Sequence, residues 1–122
     1  MILADTSVWI DHLHKTDARL VALLTDGLIL VHQHVIGELA LGSIKGRAVF
    51  LDMLVALPNA FPASHGEVLS VVEQKQLYAR GIGYSDAHLL TSCLLTPGAT
   101  LWTRDRRLAG AARELGISAE LA

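Results

Sequence analysis

Three apolar neighbourhoods of this chain each contain one formal charge, and in each it is a carboxylate: Asp5 within residues 1–10, Glu38 within residues 27–44 and Asp86 within residues 81–103. A fourth, Asp105, follows the short run Thr100-Leu101-Trp102-Thr103. An ionised carboxylate is costly to bury alone, so each must cap a helix, find a partner, hold a metal or reach solvent at the end of an element. Capping is an ordinary role for three of them: Asp5 before a helix starting near Ser7, Asp86 beside Ser85, and Asp105 before Leu108, Ala111, Ala112 and Leu115 at helical spacing. Glu38 falls within the stretch Val35–Leu41, where capping does not account for it and the plain alternative is a solvated helix face. If the four converge, each pair about 4 Å apart repels by roughly 4 kcal/mol at an intermediate effective dielectric. Such a cluster stays ionised only with cations among its members, and hard oxygen donors without cysteine suit Mg2+ or Mn2+.

The elements that would bring these residues together alternate along the chain. Met1–Ala4, Leu28–Val31 and Thr100–Thr103 are short apolar runs that read as buried strands. Asp17 and Gly27 bracket one helix, Gly42 ends another over Val35–Leu41, and Pro58 ends a third over Ala48–Leu57. Ser64-His65-Gly66-Glu67 has capping-box spacing ahead of Val68, Val71 and Val72. Asp86 begins an apolar helix that Pro97-Gly98 stops, and Pro58–Ala63 and Ile117–Leu121 are candidates for further strands. Continuously apolar strands separated by helices predict a three-layer α/β/α sandwich around a central parallel sheet of four or five strands. In such sheets ligands bind beyond the carboxyl ends of the strands, near the switch in strand order. All four carboxylates fall where they can reach that edge.

Composition narrows the alternatives. The 122 residues suffice for one domain, residues 1–122, and 52% apolar with 18% charged residues excludes a disordered chain. The single cysteine, Cys93, excludes a disulfide scaffold and a Cys-based zinc site, and its apolar surroundings read as a buried thiol. Asp5 interrupts the N-terminal apolar run before a secretory core forms, and Ala87–Thr103 is too short and too broken to span a bilayer. A cytoplasmic protein without membrane attachment is expected. His12 and His14, like His32 and His34, are two apart and would share a face only on a strand; no His-Glu-x-x-His pattern is present. Ser7 lacks a Gly-x-Ser-x-Gly elbow, and Gly81-Ile82-Gly83 lacks the rest of a phosphate-binding fingerprint. With net charge −2 and a pI of about 6.3, nucleic acid could be held only by a local patch or a bound metal.

Taken in order, four motifs resemble those of PIN-domain nucleases, in particular the VapC toxins of bacterial toxin–antitoxin pairs. They are Leu3-Ala4-Asp5-Thr6-Ser7-Val8-Trp9-Ile10, Gly37-Glu38-Leu39 with Gly42, Gly81-Ile82-Gly83-Tyr84-Ser85-Asp86-Ala87-His88, and Leu101-Trp102-Thr103-Arg104-Asp105-Arg106-Arg107-Leu108. The resemblance spans essentially the whole chain and implies a metal-dependent endoribonuclease acting on structured RNA such as tRNA or rRNA. It also implies a homodimer and a VapB-type antitoxin partner. By motif match, Asp5, Glu38, Asp86 and Asp105 are the catalytic and metal-binding acids, with Asp5 and Asp86 foremost for the metal. Thr6, Ser7 and Thr103 match positions that support the site by hydrogen bonds.

Arg104, Arg106 and Arg107 border Asp105 and are the best candidates for RNA phosphate contacts, with a solvated helix start as the alternative. Two other functions compete. A Mg-dependent phosphatase or phosphotransfer domain with Asp5 as nucleophile would want a second acid near Asp5 and a lysine near the phosphate, whereas Lys15, Lys45 and Lys75 lie outside the motifs. A non-catalytic RNA-binding module has no need of an intact set of four acids, and metal titration would separate it from a nuclease.

Overall fold

The computed structural model describes all residues, 1–122. Its elements are β1 (Ile2–Ala4), α1 (Thr6–His14), α2 (Ala18–Thr25), β2 (Ile29–Leu30), α3 (Gln33–Ala40), α4 (Arg47–Ala56), α5 (His65–Gln74), α6 (Tyr84–Leu95), β3 (Thr100–Trp102) and α7 (Arg106–Glu114). The sheet is parallel, in the order β2-β1-β3, with Leu3 opposite both Leu30 and Leu101 and Ala4 opposite Trp102. β1 is central, which is why Leu3 and Ala4 have no exposure and why the strand is apolar on both faces.

Three regular strands form, not four or five. The two outer segments each contribute a single parallel bridge, Val31 with Asn59 and Leu101 with Ser118. Both are held by two hydrogen bonds and go no further. At the first edge the next amide, Phe61 N–H, donates to Thr96 Oγ1 (2.8 Å) and leaves the sheet. At the second, positive φ at Gly116 (72°) and Glu120 (54°) turns the chain out of the extended region on both sides.

The chain moves from β1 to β2 and on to Asn59, then crosses back to β3 and on to Ser118. With right-handed crossovers this winding sets α1–α4 on one face and α5–α7 on the other, in line with the packing of α1 on α3, α3 on α4 and α5 on α6. The strand order switches between β1 and β3. One cluster of 23 buried apolar residues fills the interior, including the fully buried Trp9, Leu89, Leu90 and Leu108. Cys93 belongs to it, and burial pushes its thiol up to about 12, beyond ordinary reactivity. No helix is long and apolar enough to cross a membrane.

Local signals explain most of the helix starts. Asp17 Oδ1 accepts from Leu20 N–H (3.0 Å), and Ser64 with Glu67 forms the full capping box of α5. The helix expected to begin at Asp86 begins two residues earlier, at Tyr84, so Asp86 lies inside its first turn.

Candidate active site

Asp5 ends β1, and its N–H donates to the carbonyl of Trp102 (2.9 Å), extending the β1–β3 pairing to the switch point. It occupies the N-cap position of α1, yet its carboxylate makes no capping bond. Instead Oδ2 accepts from Ser7 Oγ (2.7 Å) and Thr103 Oγ1 (2.8 Å). Those hydroxyls in turn accept the N–H groups of Arg104 (3.1 Å) and Asp105 (3.1 Å) respectively. A buried carboxylate, 6% exposed, is thus satisfied at one oxygen by hydroxyls that backbone amides orient, while no protein donor reaches Oδ1.

The other acids stand around this point. Glu38 is exposed on α3, and its Oε1 accepts from Thr6 Oγ1 (2.9 Å), the residue after Asp5. Asp86 Oδ2 accepts from Gly83 N–H (3.3 Å) at the start of α6, and Gly83 has no side chain to complete a capping box. Burial raises the Asp86 carboxyl above its usual range; the Gly83 N–H opposes this, and the negative charges of Asp5, Asp105 and Glu38 add to it. Asp105 caps α7 through Oδ1 on Leu108 N–H (2.9 Å) and is otherwise exposed. The four acids therefore share one field at the carboxyl edge of β1 and β3.

No three His, Cys, Asp or Glu side chains stand together as a metal-holding set. The donor set nonetheless fits a hydrated hard cation, which retains water and binds through one or two carboxylates rather than a full protein shell. Asp5 Oδ1 has no protein donor, and Glu38 and Asp105 are exposed.

The three arginines do not behave as one group. Arg104 is clamped by Asp11 (2.9 Å) and Asp17 (2.5 Å), with its guanidinium 5.4 Å from the Trp102 ring centroid. The Arg104 hydrogen bond, before any other cause, holds the Asp17 carboxyl below its usual range. Arg104 thus ties the end of β3 to α1 and α2. Arg107 lies over Gly81, where the φ of +72° favours glycine and a Cβ would displace only the end of the exposed arginine side chain. Arg106 is exposed with no partner in the fold.

Spacing alone missed a second polar cluster. His32 caps α3, its Nδ1 accepting His34 N–H (3.0 Å), which leaves Nε2 as the protonated atom facing Ser92 Oγ (2.9 Å). His34 stacks on His88 (centroids 4.3 Å, 24°) and pairs through Nδ1 with Ser85 Oγ (2.9 Å). Tyr84 OH joins His88 Nε2 (3.0 Å) to His65 Nδ1 (2.6 Å), and His88 Nδ1 is buried without a partner. Burial first, then His34 and His88, lower His32 to about 4, so it is neutral. The one local signal was Tyr84 and His88 at i, i+4 around Asp86.

The sequence matches the family model of the PIN domain over residues 2–114. It is also 53% identical over 118 residues to "Ribonuclease VapC32" of Mycobacterium tuberculosis, in each of two strains, covering 97% of this chain and 95% of the relative.

Proposed function

The chain belongs to the PIN-domain family, and we propose that it is a metal-dependent endoribonuclease, the toxin of a VapBC-type pair. The observation that carries this reading is the buried Asp5 carboxylate at the switch point, held at Oδ2 by Ser7 and Thr103 with Oδ1 free of protein donors and with Glu38 tied to the adjoining Thr6. Asp86 adds to it, its carboxyl raised first by burial and then by the charges of Asp5, Asp105 and Glu38, as at functional sites.

Asp5, through its open Oδ1, and Asp86 are the first ligands for Mg2+ or Mn2+, with Glu38 and Asp105 completing the site from the surface. When bound, such a cation activates water at neutral pH and offsets the charge that develops on the phosphate. Ser7 and Thr103 hold Asp5 in one rotamer and favour its ionised form by donating to Oδ2. Glu38, fixed at Oε1 by Thr6, keeps Oε2 available to take the proton of the attacking water. Arg106 and Arg107, exposed after Asp105, are the cations offered to the RNA backbone.

The same reading extends to structured RNA such as tRNA or rRNA as substrate, a VapB-type antitoxin, a homodimer, one domain over residues 1–122 and a cytoplasmic location. Purified protein free of antitoxin should cleave RNA with Mg2+ or Mn2+ and stop when EDTA is added. Cleavage that continues in excess chelator would sink the assignment of the four acids.

A further inference from the structure

Hydrolysis at the four acids makes no use of the shallow groove between α3 and the first turn of α6. It has a volume of about 530 Å3 and is lined by Gln33, His34, Gly37, Glu38, Leu41 and Ser85. Glu38 belongs both to this groove and to the acidic site, so whatever enters the groove lies next to the reacting phosphate.

Three features of the groove point to one ligand chemistry. His34 presents a flat ring that is fixed in place, stacked on His88, bonded to Ser85 and beside Tyr84 at 6.3 Å between centroids. Leu41 is 91% exposed, an apolar side chain left in water at the rim. Gly37 leaves open space, with no atom within 4 Å of the position a Cβ would take. A rigid aromatic surface, an uncovered apolar rim and a polar edge from Gln33 and Ser85 match a flat heteroaromatic ring with hydrogen-bonding margins. Unpaired RNA bases are recognised by this combination of stacking and edge contacts.

We propose that the groove is a base-binding subsite that seats one unpaired nucleobase of the RNA against His34, beside Tyr84 and adjacent to Glu38. Its choice of ligand rests on the ribonuclease reading above. The rings are held before RNA arrives, so little ordering is required on binding. Stacking contributes to affinity without strong base preference, and Gln33 and Ser85 supply whatever discrimination the edge allows.

The test is binding of nucleotides that cannot be cleaved. Wild-type protein with Mg2+ is titrated with adenosine, guanosine, cytidine and uridine 5′-monophosphates, and separately with ribose 5-phosphate, while the His34 ring protons are followed by NMR. The nucleotides are expected to shift these resonances and ribose 5-phosphate is not. Gly37→Leu removes no side chain, replaces a helix-interior glycine and fills the open space, so it should fold at least as well as wild type. It should weaken nucleotide binding about tenfold or more. Followed by calorimetry with the same nucleotides, His34→Leu should weaken binding likewise, and His34→Phe, which keeps a flat ring, should retain it. Equal shifts from ribose 5-phosphate, or unchanged affinity in Gly37→Leu, would overturn the subsite. RNA cleavage scored on the same samples separates the two ideas. Nucleotide binding without cleavage defeats the ribonuclease reading alone; cleavage without a base-dependent shift at His34 defeats the subsite alone.

Discussion

Two polar clusters meet on the first turns of α6, and the fold treats them in opposite ways. Around His32, His34 and His88 the groups carry no formal negative charge, and they pair mostly with one another and with Ser92, Ser85 and Tyr84. Two of these histidines, His32 and His88, are almost wholly buried. Around Asp5, Glu38, Asp86 and Asp105 the groups share a sign and cannot pair with one another. There only Asp5 is deeply buried, and it has two hydroxyl donors; Glu38 and Asp105 remain at the surface. Neutral polar groups can be closed into a core by hydrogen bonds alone, whereas like charges stay open until a cation joins them.

The contrast breaks most sharply at Asp5. Asp5→Asn keeps an oxygen that can accept from Ser7 and Thr103, so the fold should survive. RNA cleavage should fall about a thousandfold, the several kcal/mol expected when a metal site is lost. In chelator its thermal midpoint should equal or exceed that of wild type, because one repelling charge is gone. Glu38→Gln and Asp86→Asn should behave alike. Unfolding of these variants in metal-free buffer would mark the acids as structural.

On the neutral side the largest effect is a pH dependence. His32 titrates at about 4 in the fold against a reference of 6.5, so the unfolded chain binds the proton more readily. The stability this ring contributes is complete above about 6.5 and is lost as pH falls through about 4. The loss is about 3 kcal/mol at most. His32→Asn, whose amide oxygen can still cap α3, should flatten the urea midpoint across that window relative to wild type. Parallel profiles for the two proteins would show that the ring is not the titrating group.

Between these lie the hydroxyls that make Asp5 tolerable. Ser7→Ala and Thr103→Val each remove one donor to Oδ2. Either should reduce metal affinity or activity about tenfold, as removal of a partner that orients a ligand does elsewhere. Metal titration by calorimetry checks it, and unchanged affinity in both would leave the hydroxyls a packing role only.

The two clusters also differ in how readily the sequence reveals them. Asp5, Glu38 and Asp86 stand out because the residues around them carry no charge, a contrast visible along one dimension. The imidazoles do not, because His32 and His34 straddle the junction of β2 and α3, where neither the strand nor the helix period applies. Capping signals were legible for the same local reason: Ser64 and Glu67, or Asp17 and Leu20, are three residues apart. The strand count was not, since the edge at Asn59 stops when Phe61 N–H turns to Thr96, 35 residues away. The three arginines looked alike in sequence, and only partners 93 and 87 residues distant set Arg104 apart.

That last difference gives the smallest expected effect and a direct comparison. Arg106→Gln removes an exposed cation without a partner in the fold, so stability should hold within about 0.5 kcal/mol. RNA affinity should fall modestly for every sequence, and the slope of log affinity against log salt should flatten by about 0.7 to 0.9, one phosphate contact's worth. Arg104→Gln removes the clamp on Asp11 and Asp17 and the contact over Trp102, so it should lower the thermal midpoint instead. If it leaves that midpoint unchanged and flattens the salt slope as Arg106→Gln does, Arg104 faces RNA after all. If neither variant alters the slope, the phosphate contacts lie elsewhere, with Lys45 and Arg47 beyond the Glu38 helix the next cations to replace.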